Sequence, residues 1–169
     1  MKRIGLLSDT HGYLDSAVFK YFEQCDEIWH AGDIGTTELA EKLAAFKPLR
    51  AVYGNIDGQQ LRRMYPAKLF FNCEGLQVLI MHIGGYPGKY SPEAFREISA
   101  NHPGLFICGH SHILKVIPDQ RFNLLHINPG AAGIQGFHVK KTLVRFTIDQ
   151  GRVKDLEVIE TGFRASRVP

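Results

Sequence analysis

Cysteine is scarce. Cys25, Cys73 and Cys108 are the only three, widely spaced and without a C-x-x-C pair. Such a set builds neither a disulfide framework nor a zinc ribbon, and reduced, buried thiols in a cytoplasmic protein are expected. Long apolar runs are missing too. None approaches the roughly 20 residues of a membrane helix, so no membrane attachment is expected. After Met1-Lys2-Arg3 the apolar stub stops at Ser8-Asp9, too early for a signal peptide. Charge of one sign is not in excess: 20 Lys and Arg against 17 Asp and Glu leave +3. That balance, without clustering, argues against a dedicated nucleic-acid binder. Neither G-x-G-x-x-G nor G-x-x-x-x-G-K-[ST] occurs, so dinucleotide and P-loop cofactors are not indicated. Ser111, in Gly109-His110-Ser111-His112-Ile113, lacks the second glycine of a nucleophile elbow.

What remains is an ordinary globular composition. The 169 residues are 44% hydrophobic and 11% aromatic, enough for one domain that buries most of its apolar surface. No repeat or low-complexity stretch interrupts it. Residues 1–160 read as the domain and 161–169, with Arg164 and Arg167, as a tail expected to fray. The first third alternates strand and helix patterns: strands at 4–8, 27–31 and 49–53, helical spacing at 17–25 and 37–46. This βαβ rhythm predicts an α/β protein with a parallel sheet. Runs 68–72 and 76–81 flank a hairpin turn. Ser91-Pro92-Glu93 opens a helix through residue 100. Strand-like runs follow at 105–108, 112–117, 123–127, 142–148 and 152–159, which suggests a second sheet packed on the first.

One coincidence carries the chemistry. Five strand-like runs each end in a residue able to bind metal: Asp9, Asp33, Asn55, His82 and His110, with His11 and His112 two positions behind the first and the last. Ligands of open α/β sheets bind beyond the carboxyl ends of strands, so these side chains can converge. If the chain stays extended there, Asp9-x-His11 and His110-x-His112 each place two side chains on one side. Two carboxylates, one amide and four imidazoles, without thiolate, suit Mn²⁺, Fe²⁺, Co²⁺, Ni²⁺ or Zn²⁺ better than Ca²⁺. Seven ligands exceed one tetrahedral ion. They fit two ions about 3.5–4 Å apart, an arrangement used in phosphoester hydrolysis.

Asp9-x-His11, Gly32-Asp33, Gly54-Asn55, His82 and Gly109-His110-x-His112, in this order, resemble the calcineurin-like metallophosphoesterase superfamily. Ser8-Asp9-Thr10-His11-Gly12 and Asn128-Pro129-Gly130 resemble its short bacterial and archaeal phosphodiesterases. The resemblance implies a four-layer α/β/β/α sandwich with two packed sheets flanked by helices. It implies that Asp9, His11, Asp33 and His112 hold one metal, and Asp33, Asn55, His82 and His110 the other, with Asp33 bridging. It puts the catalytic burden on Asp33, Asn55 and His110. A metal-activated hydroxide would hydrolyse a small phosphodiester, with Mn²⁺ the first choice of cation. Short members often pair, which leaves room for a homodimer. The retromer scaffold subunit shares the fold, so a non-catalytic scaffold is the alternative. One departure stands out. Many members carry a histidine after the asparagine that can meet the phosphoryl group. Here Ile56 follows Asn55 and transfers no proton, while acidic Asp57 remains. Diesters with good leaving groups are therefore expected to react best.

The remaining histidines have weaker claims. His30 reads as a buried strand histidine or as a support for a ligand. His102, His126 and His138 have no recruiting spacing and read as structural. The glycine-rich loop at 84–90, which follows His82, is the candidate for substrate selection.

Overall fold

The computed structural model describes residues 1–165. Arg167 and the rest of 166–169 lie outside the described residues. The elements run β1 (Lys2–Leu7), α1 (Ala17–Tyr21), β2 (Glu27–His30), α2 (Thr37–Phe46), β3 (Leu49–Ala51), α3 (Gln59–Met64), β4 (Lys68–Cys73), β5 (Leu76–Met81), β6 (Gly85–Tyr86), β7 (Lys89–Tyr90), α4 (Pro92–Asn101), β8 (Leu105–Ile107), β9 (Lys115–Asp119), β10 (Leu124–Asn128), β11 (Lys140–Asp149) and β12 (Arg152–Phe163).

Helix starts follow their capping residues. The Thr36 hydroxyl accepts from the Leu39 amide at 3.2 Å and opens α2. The Ser91 hydroxyl does the same for Ala94 at 3.2 Å, with Pro92 at the first helical position of α4. His102 ends α4 in the left-handed region, at φ 48°.

Two five-stranded sheets form, in the orders β12-β11-β1-β2-β3 and β4-β5-β8-β10-β9. β1, β2 and β3 are parallel, as are β5, β8 and β10. Their inner faces meet in one apolar layer. Ile4 and Leu6, Trp29, and Val144, Phe146 and Ile148 face Val78 and Ile80, Leu105 and Ile107, and Ile127. Full burial of each such side chain contributes about 1.5–3 kcal/mol. On the outer face of the first sheet, Leu7, Ile28 and Leu143 pack against Val18, Leu39, Leu43 and Leu61 of α1–α3. On the outer face of the second, Leu79, Met81 and Phe106 pack against Ala94 and Ile98 of α4. The result is a four-layer α/β/β/α sandwich.

Several expectations change. β11 and β12 join the first sheet, because β11 pairs antiparallel with β1, Ile4 opposite Phe146. The β9 strand begins at Lys115, since 112–114 belong to the loop that carries His112. α3 and the small β6–β7 hairpin are additions. The boundary expected at residue 161 falls inside β12, and Arg164 Nε donates to the His138 carbonyl at 2.9 Å. Among the described residues no helix is long and apolar enough to cross a membrane.

Candidate metal centre

The carboxyl ends of β1, β2, β3, β5 and β8 meet at one edge of the sandwich. Backbone pairing continues past the strands there: the Asp9 amide donates to the Gly32 carbonyl at 3.0 Å, and His11 to Asp33 at 3.0 Å. In the second sheet the Gly109 amide likewise donates to the His82 carbonyl at 2.9 Å, and the two sheets are tied by the His110 amide on Asp9 Oδ2 at 3.1 Å.

All seven residues singled out in the sequence come together here. They form two groups, Asp9 with His11 and His112, and Asp33 with His82 and His110, the ligand atoms within each group lying within 4.8 Å of one another. Asn55 borders the second group, its Oδ1 3.0 Å from His110 Nδ1. The groups share walls. Asp33 Oδ2 lies 3.4 Å from His11 Nε2 of the other group, and Asp9 Oδ1 lies 3.9 Å from His82 Nε2.

The two-residue spacings do not work by extended periodicity. Asp9 (φ 55°), His11 (46°), Asp33 (54°), His110 (69°) and His112 (60°) all take left-handed backbone conformations. His110 and His112 consequently serve different groups. Asp and His tolerate this region better than most residues, yet each instance costs on the order of 1 kcal/mol. Five at one site indicate a backbone shaped for the position of side chains, not for its own ease.

Each carboxylate is oriented by spending one oxygen on the protein. Asp9 Oδ2 accepts from the Ser8 hydroxyl at 2.6 Å and from the His110 amide, which leaves Oδ1 toward the imidazoles. Asp33 Oδ1 accepts from the Ile56 amide at 3.1 Å, leaving Oδ2 inward. His82 Nδ1 lies 2.7 Å from the Ala31 carbonyl, an arrangement that turns Nε2 and its lone pair to the centre. Asp9 Oδ1, His11 Nε2 and His82 Nε2 are buried and have no hydrogen-bond partner. Buried polar atoms are rarely left so, and a cation satisfies all three. The donor set of oxygen and imidazole nitrogen fits a divalent first-row ion. Cys108 takes no part: burial pushes its thiol up to about 12, and Sγ faces the Gly85 carbonyl.

The electrostatics agree. Burial alone would raise the Asp9 carboxyl, but His11 and His112 outweigh it and hold it well below the usual range. Asp33 is likewise held low, its burial outweighed by His82. Asp9 raises His11 against its burial. Burial would lower His82, but Asp33 and Asp9 reverse this and its pKa stands above the ordinary value.

Among the supports, sequence reasoning offered His30 but missed Asp57 and Asn128 in that role. Asp57 is buried, and its two oxygens accept from the amides of Ile34, Gly35 and Gly54, buckling the Asp33 loop to the Asn55 loop. Asn128 Nδ2 donates to the Gly109 carbonyl and Ser111 Oγ, fixing the loop of His110 and His112. His30 is fully buried, Nε2 3.0 Å from Thr10 Oγ1 and Nδ1 accepting from the Gly32 amide; burial lowers it to about 4. It is a support and no ligand. His138, read as structural, sets its ring edge-on to His112 at 5.3 Å. The glycines before ligands did hold a signal: a Cβ on Gly32 would strike the His82 ring, and one on Gly54 the Asp33 carboxylate. In the 84–90 loop, Tyr90 bonds Asp119 at 2.6 Å and packs toward α4, while Tyr86 lies under Lys115.

The chain is 29% identical to a probable metallophosphoesterase of Methanothermobacter thermautotrophicus, covering 94% of this chain and 92% of that one. Its fold is similar to that of an archaeal phosphodiesterase (TM-score 0.73, 19% identity, 94% and 99% covered). It is also similar to Vps29 of Chaetomium thermophilum (TM-score 0.74, 14% identity, 96% and 100% covered). Residues 1–151 match the calcineurin-like phosphoesterase superfamily domain, and the chain belongs to that superfamily.

Proposed function

We propose that the protein is a phosphodiesterase dependent on two divalent cations, Mn²⁺ the cation of choice. Asp9, His11, Asp33 and His112 hold one, and Asp33, Asn55, His82 and His110 the other. The observation that carries this reading is the trio of buried, unpartnered atoms, Asp9 Oδ1, His11 Nε2 and His82 Nε2, between two ionised carboxylates. When bound, the cations supply Lewis acidity toward phosphoryl oxygens and lower the pKa of coordinated water.

The chain's own residues orient and exclude. Ser8 and the His110 amide aim Asp9, and the Ile56 amide aims Asp33. Exposed His110 and Asn55 form the open side, where a phosphoryl group can enter. Neither residue after Asn55 delivers a proton to the departing oxygen: Ile56 has none to give, and both oxygens of Asp57 are taken by amides. The leaving group departs as an anion, which favours diesters of acidic alcohols and phenols over alkyl esters. A cytoplasmic location fits three free, buried cysteines. The alternative, a non-catalytic scaffold on the same fold, gains nothing from keeping seven convergent ligands.

The test is hydrolysis of bis(p-nitrophenyl) phosphate by chelator-stripped protein, with and without Mn²⁺, beside Asp33→Asn. Metal-dependent release that falls at least about 100-fold in Asp33→Asn is expected. Folded protein that releases nothing with Mn²⁺, Ni²⁺, Co²⁺, Fe²⁺ or Zn²⁺ would favour the scaffold.

A further inference from the structure

Exposed apolar side chains follow ligands of the polar centre along the chain, and others stand on a loop that touches it. Ile56, 46% exposed, follows Asn55, and its amide holds Asp33. Ile83, 45% exposed, follows His82; Ile113, 57% exposed, follows His112. Residues 133–139 add Ile134 and Phe137, the latter fully exposed. This loop is pinned to the centre. The Gly133 amide donates to the Asp9 carbonyl at 3.1 Å, and Gly136 lies so close to His112 that a Cβ there would strike the ring. His138 Nε2 meets the Gly133 carbonyl at 2.8 Å, and Arg164 donates to the carbonyls of His138 and Val139. Phe137 is thus an uncovered aromatic ring on a braced loop, one residue from a contact with a ligand.

Single exposed apolar residues are ordinary; a set drawn from four separate loops around one polar centre is not. Cations nearby do not balance it. Arg62, beside Asn55, stacks on Tyr53 at 4.6 Å and donates to the carbonyls of Asp57 at 2.6 Å and Asn55 at 3.3 Å. Arg164 is turned to backbone carbonyls. Lys115 lies over Tyr86. Among the described residues, a second phosphate or a polyanionic substituent finds no dedicated partner on this rim.

Building on the phosphodiesterase reading, we propose that the substrate is a singly charged phosphodiester with an apolar, aromatic ester group. The phosphate meets the centre, and the aromatic group that stays on phosphorus after the leaving group departs lies on the rim with Phe137 as its stacking face. Stacking on one ring is worth about three- to tenfold in affinity.

The test uses two diesters with one leaving group, methyl p-nitrophenyl phosphate and phenyl p-nitrophenyl phosphate. In both, water adds its oxygen to phosphorus, the P–O bond to the nitrophenyl group breaks, and p-nitrophenolate and a proton are released. With Mn²⁺-loaded protein the phenyl ester is expected to show the higher kcat/KM, through KM. Phe137→Ser should reduce that preference roughly three- to tenfold and leave the methyl ester within about twofold. Calorimetric binding of diphenyl against dimethyl phosphate reads the same preference without turnover. If neither ester is cleaved, the hydrolase reading fails, and the binding pair still decides the rim. Equal handling of both esters, or a preference unchanged in Phe137→Ser, overturns the rim proposal and leaves the hydrolase reading intact. A Phe137→Ser change in sedimentation alone, with the preference intact, would assign the ring to contacts between copies and overturn it too.

Discussion

At the scale of single residues, the centre is a set of side chains held by partners that do not themselves face the ions. Ser8 illustrates this, since its hydroxyl fixes the Asp9 oxygen that turns away from the imidazoles. Ser8→Ala should weaken metal affinity roughly 10- to 100-fold, measured by competition with a chelator, with the fold intact. The pH dependence follows from His11 and His82, both raised above the ordinary value of about 6.5. Without metal, their pairing with Asp9 and Asp33 stabilises the fold fully below the unfolded pKa and loses that stabilisation as pH rises through the folded values. A cation takes the place of those protons. The rise in melting temperature produced by Mn²⁺ should therefore be small near pH 6 and large near pH 8. A rise equal at both would contradict the ligand role of these histidines. The identity of the seven convergent residues was legible, because strand-end positions and residue chemistry are both written in the sequence. Their left-handed backbones were not, because Asp and His occupy that region only where the surrounding loops impose it.

At the scale of elements, loops are buckled together after the strands end. Asp57 closes the turns after β2 and β3 by accepting from three backbone amides, so Asp57→Ala strands two buried donors and a half-buried third. A loss on the order of 3 kcal/mol in denaturant unfolding is expected, together with weaker metal binding. Thr36→Ala offers the contrast. It removes the α2 cap and should cost about 1 kcal/mol without changing metal affinity. The limits of α2 were legible to the residue, since its cap and its apolar stripe of Leu39, Leu43 and Phe46 agree. α3 was not: Leu61 is its single buried residue, and one point shows no period. Residues 112–114 carry strand-like side chains, but the loop that places His112 claims them.

At the scale of the whole molecule, the centre sits where two sheets touch, and both must fold to complete it. Each candidate group draws on both sheets: Asp9 and His11 after β1 with His112 after β8, and Asp33 after β2 with His82 and His110 after β5 and β8. The alternating first half made the parallel sheet legible. The placement of β11 and β12 was not, because pairing Ile4 with Phe146 joins opposite ends of the chain, and nothing local records it. Metal binding is thereby a property of the assembled sandwich. At Mn²⁺ 100 times its dissociation constant, stability should rise by about 2.7 kcal/mol per site.

The most direct test of the central claim is a count of cations and of their proximity. Metal-free protein is titrated with Mn²⁺ and followed by electron paramagnetic resonance, with Asp33→Asn beside it. Two ions per chain with a spin-coupled signal, replaced in Asp33→Asn by at most one isolated ion, is the predicted result. One magnetically isolated ion in the unaltered protein, or a coupled pair that survives in Asp33→Asn, would contradict the account.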